Sequence, residues 1–272
     1  TVVAPHAASR RVACCFTGGI DSFYSIIAHR DEIDLLVFVH GFDLTDDEHS
    51  PLNRSVVARL YEAAAMLGKP MIEVTTGLKY FGAALGIDWN DYLGSAVAAV
   101  ALLLAPTVST FYIPATATYA EMYPLGTHPL LDPLWSTEAV RIVHDGAQAT
   151  RVGKTRIVAS EPAAQQHLRV CWEHRDGLYN CGRCEKCIRS AVGVRIAGVE
   201  GAFPALPSPS LRQIAGVNVV GLGKSWLGYR DELARSGRNP RLRFAIDVAL
   251  WRWRVKRLKR LKSLPGLRRV WR

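Results

Sequence analysis

No apolar run in this sequence is long enough to cross a bilayer: residues 96–105 invite the comparison but fall far short of the roughly 20 helical residues required. No internal repeat divides the chain. No secretory signal is present either, which makes disulfide cross-linking a poor use for its six cysteines. The glycine pair Gly18-Gly19 lacks the Gly-Lys-Ser/Thr ending of a Walker loop and the GxGxxG spacing of a dinucleotide fold, so neither of those phosphate-binding designs applies there. Acidic residues all but vanish near the end. Residues 241–272 hold one of the 24 Asp and Glu but 12 of the 34 Lys and Arg, leaving 22 basic and 23 acidic residues before them. The body is therefore neutral and the basic character belongs to the tail.

What is present begins with 15–23, Cys-Phe-Thr-Gly-Gly-Ile-Asp-Ser-Phe. The run 11–16 suits a buried strand, and 22–30 has the apolar spacing of a helix packed on a sheet. Glycine takes positive φ and has no Cβ, so at Gly18 and Gly19 successive N–H groups can turn around an anion that also feels the helix N-terminus. Thr17 and Ser22 add hydroxyls, and Asp21 is an acceptor suited to Mg²⁺. A plain strand-to-helix turn with an Asp/Ser cap would need the same residue types.

Four of the six cysteines fall within 17 residues: Cys171, then Cys181, Cys184 and Cys187 in Cys-Gly-Arg-Cys-Glu-Lys-Cys. Overlapping CxxC spacings bring three thiolates toward one centre, and Cys171 completes a tetrahedral set. Arg183 and Lys186 offset the charge of a Zn(Cys)₄ centre. We read a structural Zn²⁺ site, with an iron–sulfur cluster as the rival because ligand type alone does not separate them. Cys14 and Cys15 lie in the first strand and read as core, Cys15 being also a weak candidate for sulfur chemistry.

Strands are expected at 35–41, 71–75 and 110–114, with helices at 52–67 and 91–104 between them. Strands alternating with helices argue for an α/β fold with a doubly wound parallel sheet, whose ligands bind at the carboxyl ends of the strands. At 272 residues and 49% hydrophobic, the chain can bury a full core. Three prolines at 203–210 read as a linker. The organisation expected is a catalytic domain over 10–202 that includes a zinc knuckle at 171–187, then the linker, then a basic helical extension over 211–272.

The loop at Thr17 to Ser22 resembles the signature of the PP-loop ATP pyrophosphatases, Ser-Gly-Gly-x-Asp-Ser, with Thr17 in place of the first Ser. Together with Asp132-Pro133-Leu134, Gly153-Lys154-Thr155-Arg156 and the late cysteines, it is similar to the branch containing 7-cyano-7-deazaguanine synthase, over roughly residues 10–200. The segment by which that family reads its deazaguanine acid, Gly-Tyr-Pro-Asp-Cys-Arg, has no counterpart between Tyr112 and Pro129. The resemblance implies an adenine nucleotide alpha hydrolase-like sheet and an enzyme using ATP and Mg²⁺. Such an enzyme adenylates an oxygen of a small-molecule or nucleobase acceptor, releases pyrophosphate, and lets ammonia or an amine displace AMP. It places ATP on Thr17, Gly18, Gly19, Asp21 and Ser22, its base near His40, Gly41 and Phe42, and a phosphate cation at Lys154. Asp21, Ser22, Lys154, His128 and Asp132 are the candidate catalytic residues, the last two from the rigid segment 126–136. Cys171, Cys181, Cys184 and Cys187 are the candidate metal ligands.

In the tail, Phe244, Val248, Trp251, Val255, Leu258 and Leu261 recur at spacings of 3 or 4 among Arg and Lys. This is a basic amphipathic helix. It suits tRNA or another polyanion, an anionic membrane surface, an acidic protein partner, or packing on the chain itself or across a homodimer. The tRNA reading would go with a base-modifying enzyme. A non-catalytic ATP-binding scaffold is a further alternative. The expected location is cytoplasmic, peripheral to a membrane if the tail binds one.

Overall fold

A computed structural model describes residues 10–45, 47, 49–221 and 223–262 of the chain, with side chains in the last helix described as far as Leu258. Five strands form one sheet: β1 (Arg11–Cys15), β2 (Leu35–His40), β3 (Met71–Thr75), β4 (Val108–Pro114) and β5 (Arg141–Asp145). Their order is β3-β2-β1-β4-β5 and every pairing is parallel. The chain leaves β1 toward β2 on one side and returns to β4 on the other, so the order reverses at the β1/β4 boundary. This is a doubly wound α/β fold. The fifth strand, Arg-Ile-Val-His-Asp, goes beyond the sequence reading: its polar residues conceal a parallel edge strand bonded to β4 from Thr110↔Arg141 onward.

Strand side chains alternate between two buried layers. Leu36 and Phe38 of β2 join Cys14 and Phe16 on one face, while Leu35, Val37 and Val39 join Ala13, Phe111 and Ile113 on the other. Both faces are covered, which is why β2 is buried throughout and reads as a continuous apolar run. The first layer is closed by α1 (Ile20–Ala28), α2 (Pro51–Met66) and α6 (Pro162–His167); the second by α3 (Leu78–Ala84) and α4 (Trp89–Leu103). Helix α4 begins at an Asp88 cap whose carboxylate accepts from the Asn90 amide.

A third cluster lies beyond the sheet. Helix α5 (Arg151–Val158) and α7 (Glu185–Ala197) turn Val152, Ile188 and Val192 toward α8 (Leu211–Gly216), α9 (Lys224–Ser236) and α10 (Pro240–Lys262). Trp226 is its central side chain, and its indole N–H donates to Glu185 Oε1 at 2.7 Å. The proline segment 203–210 sends Phe203 and Leu206 into the first layer beneath the cysteines, so it packs as well as connects.

Gly18 explains the turn after β1. Its φ is +71°, and a Cβ there would lie 2.7 Å from Leu60 Cδ2. Gly68 has a similar φ, +67°, with nothing near its Cβ position. Gly68→Ala is expected to cost about 1–2 kcal/mol, the conformational penalty alone. Gly18→Ala should cost more, because overpacking against Leu60 adds roughly 1–3 kcal/mol. Urea unfolding of the two variants checks the order; equal losses would show that Leu60 yields freely.

Candidate functional site

The turn after β1 leads directly into α1, and Ser22 organises it. Its hydroxyl accepts from the Gly19 N–H and donates to the Gly19 carbonyl, both at 3.1 Å. Ser22 thus serves as a cap for the helix while still facing the space above the sheet. The Thr17 hydroxyl makes no hydrogen bond among the described residues and lines the same space. Sequence reasoning missed the residue that holds this turn down. Arg169, buried, receives the turn through its own backbone, its N–H donating to the Gly18 carbonyl at 2.8 Å. Its guanidinium donates to the Thr17 carbonyl at 3.2 Å and the Cys171 carbonyl at 3.3 Å, and pairs with Asp43 at 3.1 Å. One side chain therefore joins the ends of β1 and β2 to the start of the cysteine segment.

Above these groups lies a cavity of about 220 Å³ at the carboxyl ends of β1, β2 and β4, the place where the strand order reverses. One wall is apolar: Phe42 stands 4.9 Å from Trp89, with Leu93, Val97 and Ile113 beside them. The other carries four cations, Arg151, Arg169, Lys186 and Arg189, against two carboxylates, Asp21 and Asp43. The balance favours an anion with a flat apolar part.

The cations differ in how free they are. Arg151 pairs with Asp21 at 2.9 Å, and Lys154 reaches the other oxygen of Asp21 at 3.1 Å while donating to the Ala115 carbonyl at 2.6 Å. Burial raises the Asp21 carboxyl, but Arg151 and Lys154 outweigh it and hold Asp21 below its usual range. Lys154 is 2% exposed and does not line the cavity. Lys186, by contrast, lines it and makes no hydrogen bond or ion pair among the described residues. Its charge is felt at Asp43, where burial pushes the carboxyl up and Lys186, Arg169 and Lys79 bring it below its usual range.

The four cysteines are buried, and their sulfurs lie within 4.8 Å of one another with no disulfide among the described residues. The Sγ atoms of Cys171 and Cys184 are 3.8 Å apart. That is far from a disulfide length of about 2.05 Å. It matches the edge of a tetrahedron with metal–sulfur bonds of about 2.3 Å, for which about 3.8 Å is expected. Backbone N–H groups support three of the sulfurs: His174 donates to Cys171 at 3.2 Å, Cys184 to Cys181 and Cys187 to Cys184 at 3.3 Å. Hydrogen bonds from Cys184 and Cys187 pull the Cys171 thiol well below the ordinary range. The group can hold a metal such as zinc. It also fixes the start of α7, because Cys184 is the helix cap, and from there Lys186, Arg189 and Ser190 reach the cavity.

Other residues singled out from sequence take different places. Asp132 is fully buried, accepting from the Thr127 hydroxyl at 2.7 Å and meeting a ring nitrogen of His144 at 2.7 Å. His128 donates its backbone N–H to Asp132 at 3.2 Å and uses Nδ1 to accept from the Leu130 amide. Neither lines the cavity; only Thr127 of that segment does. Their hydrogen bonds are spent on shaping the loop. His40 is buried against Glu73 at 2.7 Å, and of the group around the end of β2 it is Phe42 and Asp43 that line the cavity, not His40 or Gly41. Cys15 lines the cavity, but burial pushes its thiol up to about 12, which removes it from thiolate chemistry near neutral pH.

Removing the Asp21 carboxylate strands two cations, one of them buried. Asp21→Asn is expected to destabilise by about 3 kcal/mol, the low end for a buried pair losing a partner, since Asp21 keeps some solvent contact. A depressed carboxyl contributes stability above its unfolded pKa of about 4 and loses it as pH falls through the lower folded value. The gap between wild type and variant should therefore be full at pH 6–7 and close below about pH 4 in denaturation series; a gap independent of pH would remove the ion pairs as its source. For the cysteine group, the purified chain should carry one metal with sulfur-only coordination by X-ray absorption, and Cys184→Ser should lose it. A chain without metal, or a broad visible absorption typical of iron–sulfur clusters, would contradict zinc. No protein-family model matches the chain, and no match was found among curated proteins or solved structures.

Proposed function

We propose that the cavity binds ATP and that the chain is an AMP- and pyrophosphate-forming enzyme of the PP-loop kind, on an adenine nucleotide alpha hydrolase-like sheet. The observation that carries this reading is a coincidence within one cavity. A glycine turn at a helix N-terminus, a lysine with no partner among the described residues and two aromatic rings tilted 48° to each other line one space at the switch point of the sheet. Phosphates on the Gly18–Gly19 turn meet N–H groups and the positive end of α1. Phe42 and Trp89 offer a flat apolar surface to the base.

In this reading Asp21 acts through its partners. Arg151 and Lys154 occupy both of its oxygens, so its role is to position the Arg151 guanidinium, which lines the cavity, beside the departing pyrophosphate rather than to coordinate Mg²⁺, which arrives with the nucleotide. Lys186 and Arg189, from α7, add positive charge on the same wall. A carboxylate or carbonyl oxygen of the acceptor attacks the α-phosphorus, and the bond to the bridging oxygen breaks with release of pyrophosphate. Ammonia or an amine then attacks the activated carbon and expels AMP. The metal group serves α7, and through it Lys186, rather than the reacting atoms.

Product analysis with ATP labelled in the α-phosphate, with carboxylate metabolites and ammonia supplied, tests the reaction: AMP and pyrophosphate support it, and ADP or unchanged ATP opposes it. Lys186→Met is expected to weaken ATP binding tenfold or more, since a charge-assisted hydrogen bond contributes about 1.5–3 kcal/mol. Titration calorimetry checks this, and an unchanged affinity would place the phosphates elsewhere.

A further inference from the structure

The tail helix is apolar on two sides, and three members of the stripe legible in the sequence, Phe244, Trp251 and Leu258, face solvent. Leu242, Ala245, Ile246, Ala249 and Leu250 of α10 are buried against α8 and α9. Lys256 adds a 3.0 Å hydrogen bond to Asn218, which pins the same side. Phe244, Trp251 and Leu258 are 71%, 64% and 58% exposed. These three are spaced by seven residues, so they stay within about 20° of one line along the helix. Val248 and Val255 fall beside that line and are half-buried.

At about 100° per residue, Arg241 and Arg252 flank the exposed line on one side and Arg243 and Arg254 on the other. All four are exposed. The helix runs about 34 Å for its 23 residues. An apolar groove at its start, formed by Leu211, Ala215 and Pro240, continues the line beyond Phe244.

We propose that this outer face of α10 is a docking surface for an anionic membrane. The helix lies flat, its large apolar side chains enter the headgroup boundary, and the arginines on both flanks meet lipid phosphates. Two features of the helix select this occupant. A second copy of the chain would bring a tail of 12 basic and one acidic residue against an identical one, which opposes self-association through this face. A nucleic acid would use the arginines but has no use for Leu258, Val248 and Val255 alternating with the aromatic rings along the same line. An interfacial helix needs that combination.

Flotation of the full chain with vesicles of phosphatidylcholine alone or mixed with phosphatidylglycerol, at about 0.15 M salt, tests the assignment. Binding to the anionic vesicles at least tenfold above neutral ones is expected. The triple variant Phe244→Ser/Trp251→Ser/Leu258→Ser should abolish it. Its substitutions are on the surface, so the melting temperature should stay near that of wild type. The variant Arg241→Gln/Arg252→Gln/Arg254→Gln, with the apolar line intact, should lose the preference for anionic lipid. Wild-type binding by the serine variant would overturn the proposal in favour of charge alone, as for tRNA. Conversion of a wild-type dimer to a monomer by the same variant would overturn it in favour of a second copy.

Discussion

The buried guanidinium of Arg169 is the contact on which the cavity depends. Its neighbours are two carbonyls, Thr17 and Cys171, one carboxylate, Asp43, and a ring nitrogen of His174 at 3.2 Å, and these belong to segments far apart in sequence. A charge so far from water persists only when its donors are used, and here the planar fork of Arg reaches partners that a Lys could not span together. The consequence is mechanical. The turn after β1 is held in place, its Gly18 carbonyl taken by the Arg169 amide, while Thr17 and Gly19 on either side line the cavity.

The cysteine group is the second anchor, and it works through the same hub. Cys171 follows Arg169 by two residues, and Cys184 caps α7. Closing four sulfurs on one centre therefore fixes both the arginine that grips the turn after β1 and the helix that presents Lys186 and Arg189 to the cavity. The third apolar cluster braces α7 from behind, with Trp226 bonded to Glu185 at the helix start. The four-cysteine group and the cationic wall of the cavity are in this sense one structural unit.

The strands β1 to β4 were legible because each carries closely spaced apolar residues between turn signals, and the four cysteines because CxxC spacing constrains geometry strongly. Strand β5 was not, since Arg141, His144 and Asp145 break its apolar pattern while its partner β4 pairs with it through the backbone. Arg169 gave no signal beyond lying two residues before a cysteine. Lys154 and Lys186 exchanged expected places: the first is absorbed by Asp21, and the second faces the cavity although its position between two cysteines suggested only charge balance. The tail shows the limit of periodicity most plainly. A helix with apolar side chains on two faces satisfies a spacing of 3 or 4 twice, and only packing reveals that Leu242, Ile246 and Leu250 face the body while Phe244 and Trp251 do not.

In the proposed complex, phosphates lie on the Gly18–Gly19 turn with a base against Phe42 and Trp89. A crystal structure of the metal-loaded chain with Mg²⁺ and an ATP analogue resistant to cleavage between the α- and β-phosphates tests this directly. Phosphate oxygens are expected within hydrogen-bond distance of the amides at the start of α1 and of Lys186, with the α-phosphorus open to the cavity. A nucleotide bound elsewhere, or held with its γ-phosphate alone exposed to an acceptor, would contradict it.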